Sequence, residues 1–324
     1  MRDFGHGSTA DDVLDGIDLS GKTVLITGGA SGLGQETARA MAARGARLVI
    51  AARDMDKGTA AVDAILEDVP TAEIEVMELD LADLDSIRAF TILFLREYPE
   101  LDLLINNAGV MACPKSETAD GFEMQFGTNH LGHFLLTNRL KPALYKAAKA
   151  GRAPRVVTLS SRAHQRAPVD LEDPNYEKRD YDKWQAYGES KTANALFALE
   201  LDTRWKDGGI RSFSVHPGGI VTNLGRHLDE GDVAMLMARF EGTEQPQFKS
   251  IPQGAATTCY AATAPELDGR GGVYLENSGI AEPNDDLESV PLETDGAGVR
   301  SWAQDDAAAK KLWALSEKLV CESF

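Results

Sequence analysis

The sequence predicts a doubly wound α/β fold, a parallel β-sheet of about seven strands with helices on both faces. Three observations carry this. Short β-branched, apolar runs alternate with helix-forming segments through most of the chain. A glycine-rich turn, Thr27-Gly28-Gly29-Ala30-Ser31-Gly32-Leu33-Gly34, stands where the first such run meets the first helix. No repeat or Pro/Ser-rich linker divides the 324 residues, so a single domain spanning 1–324 is expected, with residues 1–20 as an N-terminal extension.

The elements follow in order. Residues 22–27 (KTVLIT) form the first strand and 35–44 (QETARAMAAR) the first helix. Strands at 47–52 and 74–79 and helices at 55–68 and 84–97 continue the alternation. A fourth strand, 101–105, runs into Asn106-Asn107-Ala108-Gly109. Helix is then expected over 121–150, strand over 155–159, a long helix over 185–205 and a sixth strand over 210–215. Right-handed crossovers place all the strand C-termini on one edge, where ligands bind at the switch point between the halves. The stretch after the sixth strand, 222–250, is long enough to be a substrate lid. Within it, 233–240 (VAMLMARF) reads as an amphipathic helix against the core, although Met-rich surfaces also make adaptable pocket walls or weak membrane contacts. A helix at 253–263 and a seventh strand at 272–275 follow. The C-terminal part, 277–324, is read as an irregular segment (277–297) and a terminal amphipathic helix (307–320).

Composition narrows the function. With 33 Lys and Arg against 51 Asp and Glu, the net charge of −18 argues against a nucleic-acid or anionic-membrane surface and for a soluble protein. Three widely spaced cysteines, Cys113, Cys259 and Cys321, with no CxxC pair, indicate neither a disulfide framework nor a zinc site. No apolar run reaches the length of about 18 residues that a membrane span needs, and the first 20 residues are acidic and polar, so the expected compartment is the cytoplasm.

Two motifs carry chemistry. In the glycine turn, Gly28 permits a tight turn, Gly32 lets backbone approach a pyrophosphate, and Gly34 allows close helix-to-strand packing, with unpaired N–H groups offered to an anion by the helix start. This GxxxGxG spacing departs from the commoner GxGxxG, and a glycine loop with no ligand is the plainer alternative. Tyr187 and Lys191 in Tyr187-Gly188-Glu189-Ser190-Lys191 share a helical face, so the ammonium favours the ionised phenol. On its own that spacing also describes a solvated surface pair.

With Gly28-x-x-x-Gly32-x-Gly34, Asn106-Asn107-Ala108-Gly109, Ser160-Ser161, Tyr187-x-x-x-Lys191 and Pro217-Gly218 in this order, residues 20–280 resemble the short-chain dehydrogenase/reductase family. The resemblance implies a Rossmann fold and hydride transfer to or from a nicotinamide. Residues 103–111 (LLINNAGVM) and 129–137 (NHLGHFLLT) are similar to the retinol-dehydrogenase-like branch. The flanks, 8–18 and 252–258 (PQGAATT), are similar to its plant members associated with the chloroplast inner-envelope translocon. By this resemblance Tyr187 is the acid/base and Ser161 the donor that holds the substrate oxygen, with Ser160 the competing serine. Lys191 partners the nicotinamide ribose and Tyr187, and Asn129 anchors a relay. A phenol has a reference pKa of about 10, so bringing it near neutrality takes roughly 4 kcal/mol of preferential phenolate stabilisation.

The resemblance also implies cofactor contacts from Gly28, Ser31, Gly32, Leu33 and Gly34, from Asp80 and Leu81 at the adenine, from Asn107, Ala108 and Gly109 along the cofactor, and from Pro217, Gly218 and Thr222 at the nicotinamide. As plainer alternatives, Asp80 caps the following helix and Pro217-Gly218 is only a turn. At the end of strand two, Arg53 stands where an acid would favour NAD(H), and its guanidinium suits a 2′-phosphate, so NADP(H) is expected with NAD(H) left open. Asp54 could neutralise Arg53 or touch a ribose, and Gln35 replaces the second basic residue frequent in this branch. Packing or surface roles are expected for His130, His133 and His216 in place of metal binding. The Met235, Leu236, Met237 and Phe240 region suggests a lipophilic or aromatic carbonyl or alcohol substrate. The resemblance implies a homo-oligomer, paired through the helices that carry Asn129 and Tyr187. The competing functional reading is a cofactor-responsive interaction protein with vestigial catalysis.

Overall fold

The computed structural model describes residues 4–238, 248–286 and 298–324. Its strands are β1 (Thr23–Thr27), β2 (Arg47–Ala52), β3 (Glu73–Glu78), β4 (Leu103–Asn106), β5 (Arg155–Leu159), β6 (Arg211–His216), β7 (Val273–Glu276) and β8 (Gly279–Ile280). They form one sheet in the order β3-β2-β1-β4-β5-β6-β7-β8, parallel throughout except for β8. The expected doubly wound sheet is therefore present, with a short eighth strand added. Asn277 and Ser278, both at positive φ (50° and 57°), turn β7 back onto β8. A two-residue turn of that hand normally advertises itself by glycine, so Asn-Ser gave little warning.

Helices α1 (Ala10–Leu14), α2 (Gly32–Ala42), α3 (Met55–Asp68), α4 (Leu84–Glu97), α5 (Met124–Phe126), α6 (Gly132–Arg139), α7 (Lys141–Lys149), α8 (Lys183–Trp205), α9 (Glu230–Ala238), α10 (Ile251–Thr263) and α11 (Asp306–Val320) complete the described elements together with short tight turns. Alternate strand residues feed two cores. Leu25, Val49, Leu104 and Val156 pack beneath α4, α6, α8 and α11. Val24, Ile26, Ile50 and Val157 pack beneath α1, α2 and α10. Burial on both sides is why these strands read as unbroken apolar runs.

Three local departures matter for the site. The helix expected over 121–150 is broken into pieces, with a π-helical turn, Gly127–Leu131, where Asn129 sits. Such turns insert a residue at one place in a helix and leave no periodicity to detect. The same stretch breaks again at Leu140, because Pro142 has no N–H to continue the ladder. The expected N-terminal extension is folded onto α10: a capping box between Thr9 and Asp12 starts α1, and Phe4 meets Tyr260 edge-on at 6.0 Å. In the expected lid, α9 is fastened at its start by Asp232, which accepts from Lys183 Nζ (2.6 Å) and Trp184 Nε1 (3.1 Å). Residues 239–247, including Phe240, lie outside the described residues, as does 287–297 of the expected irregular segment.

Helix α11 fills the outward groove between α6 and α8. Trp313 stands edge-on to Phe134 at 5.0 Å and stacks on Phe197 at 6.0 Å, with the Arg204 guanidinium 4.3 Å over its ring. Ser316 Oγ bonds His130 Nε2 at 2.8 Å, and beyond the helix Glu322 pairs with Arg88 and Arg139. Because Trp313 is 2% exposed, Trp313→Ala is expected to lower unfolding stability by about 3–5 kcal/mol in a urea titration, and a loss below about 1 kcal/mol would show that α11 is only loosely attached.

Candidate active site

Five strand ends converge on one edge. β1 leads to the glycine turn, β2 to Arg53, β4 to Asn107–Gly109, β5 to Ser160 and Ser161, and β6 to Pro217 and Gly218. Parallel strands in this order place the crevice between β1 and β4, where the crossovers diverge.

The glycine turn is held by close contacts. A Cβ on Gly34 would lie 2.4 Å from the Gly28 carbonyl oxygen, and Gly28, at φ 68°, would bring a Cβ to 2.9 Å from Ala108 Cα. Ser31 occupies the N-cap of α2 with no side-chain hydrogen bond. In contrast, Asp54, Asp83, Asp182 and Asp305 each accept first-turn N–H groups at the starts of α3, α4, α8 and α11. The uncapped donors of α2 are the natural seat for an anion at this edge. Thr222 lies beside the same turn, its Cγ2 3.6 Å from where a Gly32 Cβ would be.

The loop after β4 is tied to the turn through Thr27. Its hydroxyl accepts from the N–H groups of Asn107 and Ala108, both at 3.0 Å, and meets His133 Nε2 at 2.9 Å. Asn107 Nδ2 donates to the Thr27 carbonyl at 2.8 Å. Since His133 Nδ1 lies 2.9 Å from the carbonyl of Asn129, which can only accept, Nδ1 carries the proton and Nε2 accepts from Thr27. Burial pushes His133 down to about 4, which keeps the ring neutral. Thr27 and His133 hold the site together, yet the residue pattern alone marked neither for it. Only the quoted NHLGH run contained a hint.

The side chain of Asn129 is fully engaged. Its Oδ1 accepts from Val110 N (2.8 Å), and Nδ2 donates to Val110 O (2.9 Å) and to Ser190 Oγ (3.0 Å). It thus fastens the loop beyond Gly109 to the helix that carries Tyr187. Lys191 Nζ donates to Leu159 O at 3.0 Å and lies 5.7 Å from the Tyr187 ring centroid. Ser161 is the serine near the Tyr187 phenol, its Oγ accepting from Ala163 N at 3.1 Å, whereas Ser160 donates to the Lys191 carbonyl at 2.8 Å. Burial pushes Tyr187 up to about 12 and Lys191 down to about 8. At neutral pH the pair is therefore phenol and ammonium.

At the outer part of the crevice, Arg53 is exposed, 3.9 Å from Asp80. Asp54 is committed elsewhere, capping α3 at Lys57 N (3.1 Å) and pairing with Lys57 Nζ (2.8 Å). Asp80 bonds Ala82 N, and the cap of α4 is Asp83. Leu81 is buried, its carbonyl 2.5 Å from a Cβ placed on Gly132, while Leu33 packs against α10 near Gly254. Gly218 is at φ 99°, in the left-handed region that glycine tolerates. The histidines pack as expected. His130 Nε2 bonds Ser316, and His216 Nδ1 accepts from Arg162 N (3.3 Å) and Gly218 N (3.4 Å). No cluster able to hold a metal ion occurs among the described residues.

Gly34→Ala forces a backbone shift at the Gly28 carbonyl, because 2.4 Å is below any real carbon-to-oxygen contact. A lower thermal midpoint is expected despite the gain in helix propensity of about 1 kcal/mol, and an unchanged or raised midpoint would show that the turn gives way freely.

The family model for short chain dehydrogenases matches residues 22–232. The chain is 40% identical to the chloroplastic short-chain dehydrogenase TIC 32 B of Brassica napus, over 98% of this chain and 94% of that one. It is 41% identical to retinol dehydrogenase 12 of Mus musculus, covering 94% and 88%. A crystal structure of a protein from Mycobacterium paratuberculosis is 39% identical with a TM-score of 0.73, covering 98% of this chain and 99% of that chain. The chain belongs to the short-chain dehydrogenase/reductase family, oxidoreductases that bind nicotinamide cofactors.

Proposed function

We propose that the protein is an NADP(H)-dependent oxidoreductase that interconverts a carbonyl and an alcohol, with Tyr187 as acid/base. The observation that carries the reading is the buried pair of Tyr187 and Lys191, with Ser161 near the phenol, at the same sheet edge as the uncapped N-terminus of α2. The residues fit the cofactor. Gly28, Ser31, Gly32, Leu33 and Gly34 would hold the pyrophosphate on the donors of α2, and Asp80 and Leu81 would flank the adenine. Asn107, Ala108 and Gly109 would line the cofactor's path, with Pro217, Gly218 and Thr222 at the nicotinamide. When bound, the nicotinamide supplies or accepts the hydride.

The chain's own groups handle the proton. Ser161 lies near the Tyr187 phenol, so a substrate oxygen entering between them would accept from both hydroxyls. A phenol whose pKa is raised to about 12 is fully protonated at neutral pH and ready to donate to a developing alkoxide. Phenolate is costly in this pocket, and the Lys191 ammonium is the nearby positive charge that lowers the cost. Lys191 carries three donors, one of which goes to Leu159. The others would hold the ribose. Asn129 acts as an anchor through Ser190 and Val110.

Arg53 supports NADP(H) over NAD(H): it is 73% exposed at the end of β2 with only a long contact to Asp80, while Asp54 is used as a helix cap. Substrate selection is assigned to the segment 222–250, with a lipophilic or aromatic carbonyl or alcohol favoured by the exposed Val221, Val233 and Phe248. Buried Cys113 and Cys259 and the exposed thiol of Cys321 suit a reducing compartment such as the cytoplasm. Among the described residues no helix is long and apolar enough to cross a membrane. Homo-oligomerisation would have to proceed around α11, since that helix occupies the groove between α6 and α8.

The test is nicotinamide absorbance during turnover with apolar aldehydes, aromatic ketones and secondary alcohols, comparing NADPH with NADH. Tyr187→Phe is expected to bind NADPH normally while kcat falls by about 10²-fold or more, and wild-type turnover in that variant would remove the assignment. Arg53→Ala should weaken NADPH about tenfold while leaving NADH little changed. Equal losses for both cofactors would end its role as selector.

A further inference from the structure

The loop that carries Ser161 continues as a tight 3-10 turn, Arg162–Arg166, with His164 at its centre. His164 is 1% exposed, and nothing in the proposed chemistry uses it. Both of its donors converge on one atom: the carbonyl oxygen of Ser161 accepts from His164 N (3.0 Å) and lies 2.7 Å from His164 Nδ1. On the opposite side of the ring, the peptide N–H of Arg300 points at Nε2 from 3.3 Å. Arg300 belongs to the C-terminal segment, which also reaches the turn through Trp302 Nε1 to the His164 carbonyl (3.0 Å) and through the Gly298 carbonyl, which accepts from Gln165 Nε2 (3.0 Å).

These contacts have one consistent set of directions. A peptide N–H can only donate and a peptide carbonyl can only accept, so Nε2 is bare and Nδ1 carries the proton. Tyr274 then fits without conflict. Its ring packs on His164 at 4.7 Å and its hydroxyl is 3.1 Å from Nδ1. That hydroxyl can accept from the Nδ1 proton, and nearby Ser160 directs its own proton to the Lys191 carbonyl. The charged and titratable groups facing His164 are Arg300, His216 and Tyr274. Burial holds the ring neutral, at about 4.

We propose that His164 is a positioning residue for Ser161, its tautomer set by the backbone of the C-terminal segment at Arg300. The inference rests on the catalytic reading of Ser161 given above. With its carbonyl held by two donors and its Oγ accepting from Ala163 N, Ser161 is fixed in one orientation at the end of β5. The segment 298–302 thereby becomes part of the active-site support, although it lies more than a hundred residues from the serine in sequence.

Three variants separate this from a filler role. Asn at position 164 offers an amide donor near the place of Nδ1, Gln offers one near Nε2, and Leu offers none. His164→Leu and His164→Gln are expected to lower kcat about 10- to 100-fold with the Kd for NADPH unchanged, whereas His164→Asn keeps turnover within about threefold of wild type. Wild-type kcat in a folded His164→Leu protein, or equal losses in the Asn and Gln variants, would overturn the proposal. A second measurement does not depend on turnover: two-bond ¹⁵N–¹H correlation of the histidine rings in the labelled full chain, with the His164 signal identified by its loss in His164→Asn. Protonated Nδ1 with bare Nε2 is the expected pattern, and protonated Nε2 would overturn the proposal even where His164→Leu does not fold. An inactive wild-type enzyme would refute the functional reading, and the ring spectrum would still decide the geometry of His164.

Discussion

The Thr27 hydroxyl is the point on which the site's geometry depends. At the end of β1 it receives two N–H groups from the loop after β4 and gives its own proton to His133 on the helix that follows the π-helical turn. Those three pieces lie far apart in sequence and supply the glycine turn, the Asn107–Gly109 path and the Asn129 anchor. The bond to His133 is buried and the other two partly so, and an unmade buried one would leave a desolvated polar group at a cost of about 1–3 kcal/mol. Neutral His133 makes the arrangement self-consistent, because an imidazolium would turn Nε2 from an acceptor into a second donor.

The same burial sets the chemistry of Tyr187 and Lys191. Desolvation alone raises the phenol and lowers the ammonium, so the protein by itself stabilises the protonated phenol more than the phenolate. That state suits proton donation to an alkoxide. The reverse reaction needs more positive charge than the lysine provides, which is consistent with an oxidised, cationic nicotinamide sharing the pocket in the proposed mechanism. Catalytic direction would then follow the redox state of the cofactor more than the fixed electrostatics of the chain.

The C-terminus is structural in two separate ways. Helix α11 covers the groove between α6 and α8 with Trp313, and the segment before it lies against the 3-10 turn after β5. Both contacts press on elements that carry candidate site residues. Just beyond the stretch that reads as irregular, a backbone group meets a buried side chain, as the N–H of Arg300 does with His164.

The sequence by itself determined the succession of strands and helices and the motifs. Apolar runs buried on both faces, aspartates at helix starts and a glycine turn are local signals, and the boundaries of β2, β5, α3 and α4 follow from them. Tertiary structure alone decided which serine meets the phenol, how the π-helical turn at Asn129 is formed, and that His133 and His164 serve as scaffolds. The physical reason is that these depend on single hydrogen bonds between segments distant in sequence. No periodicity or propensity records such bonds, because the identity of a donor's partner is fixed only when the sheet has brought the strand ends together.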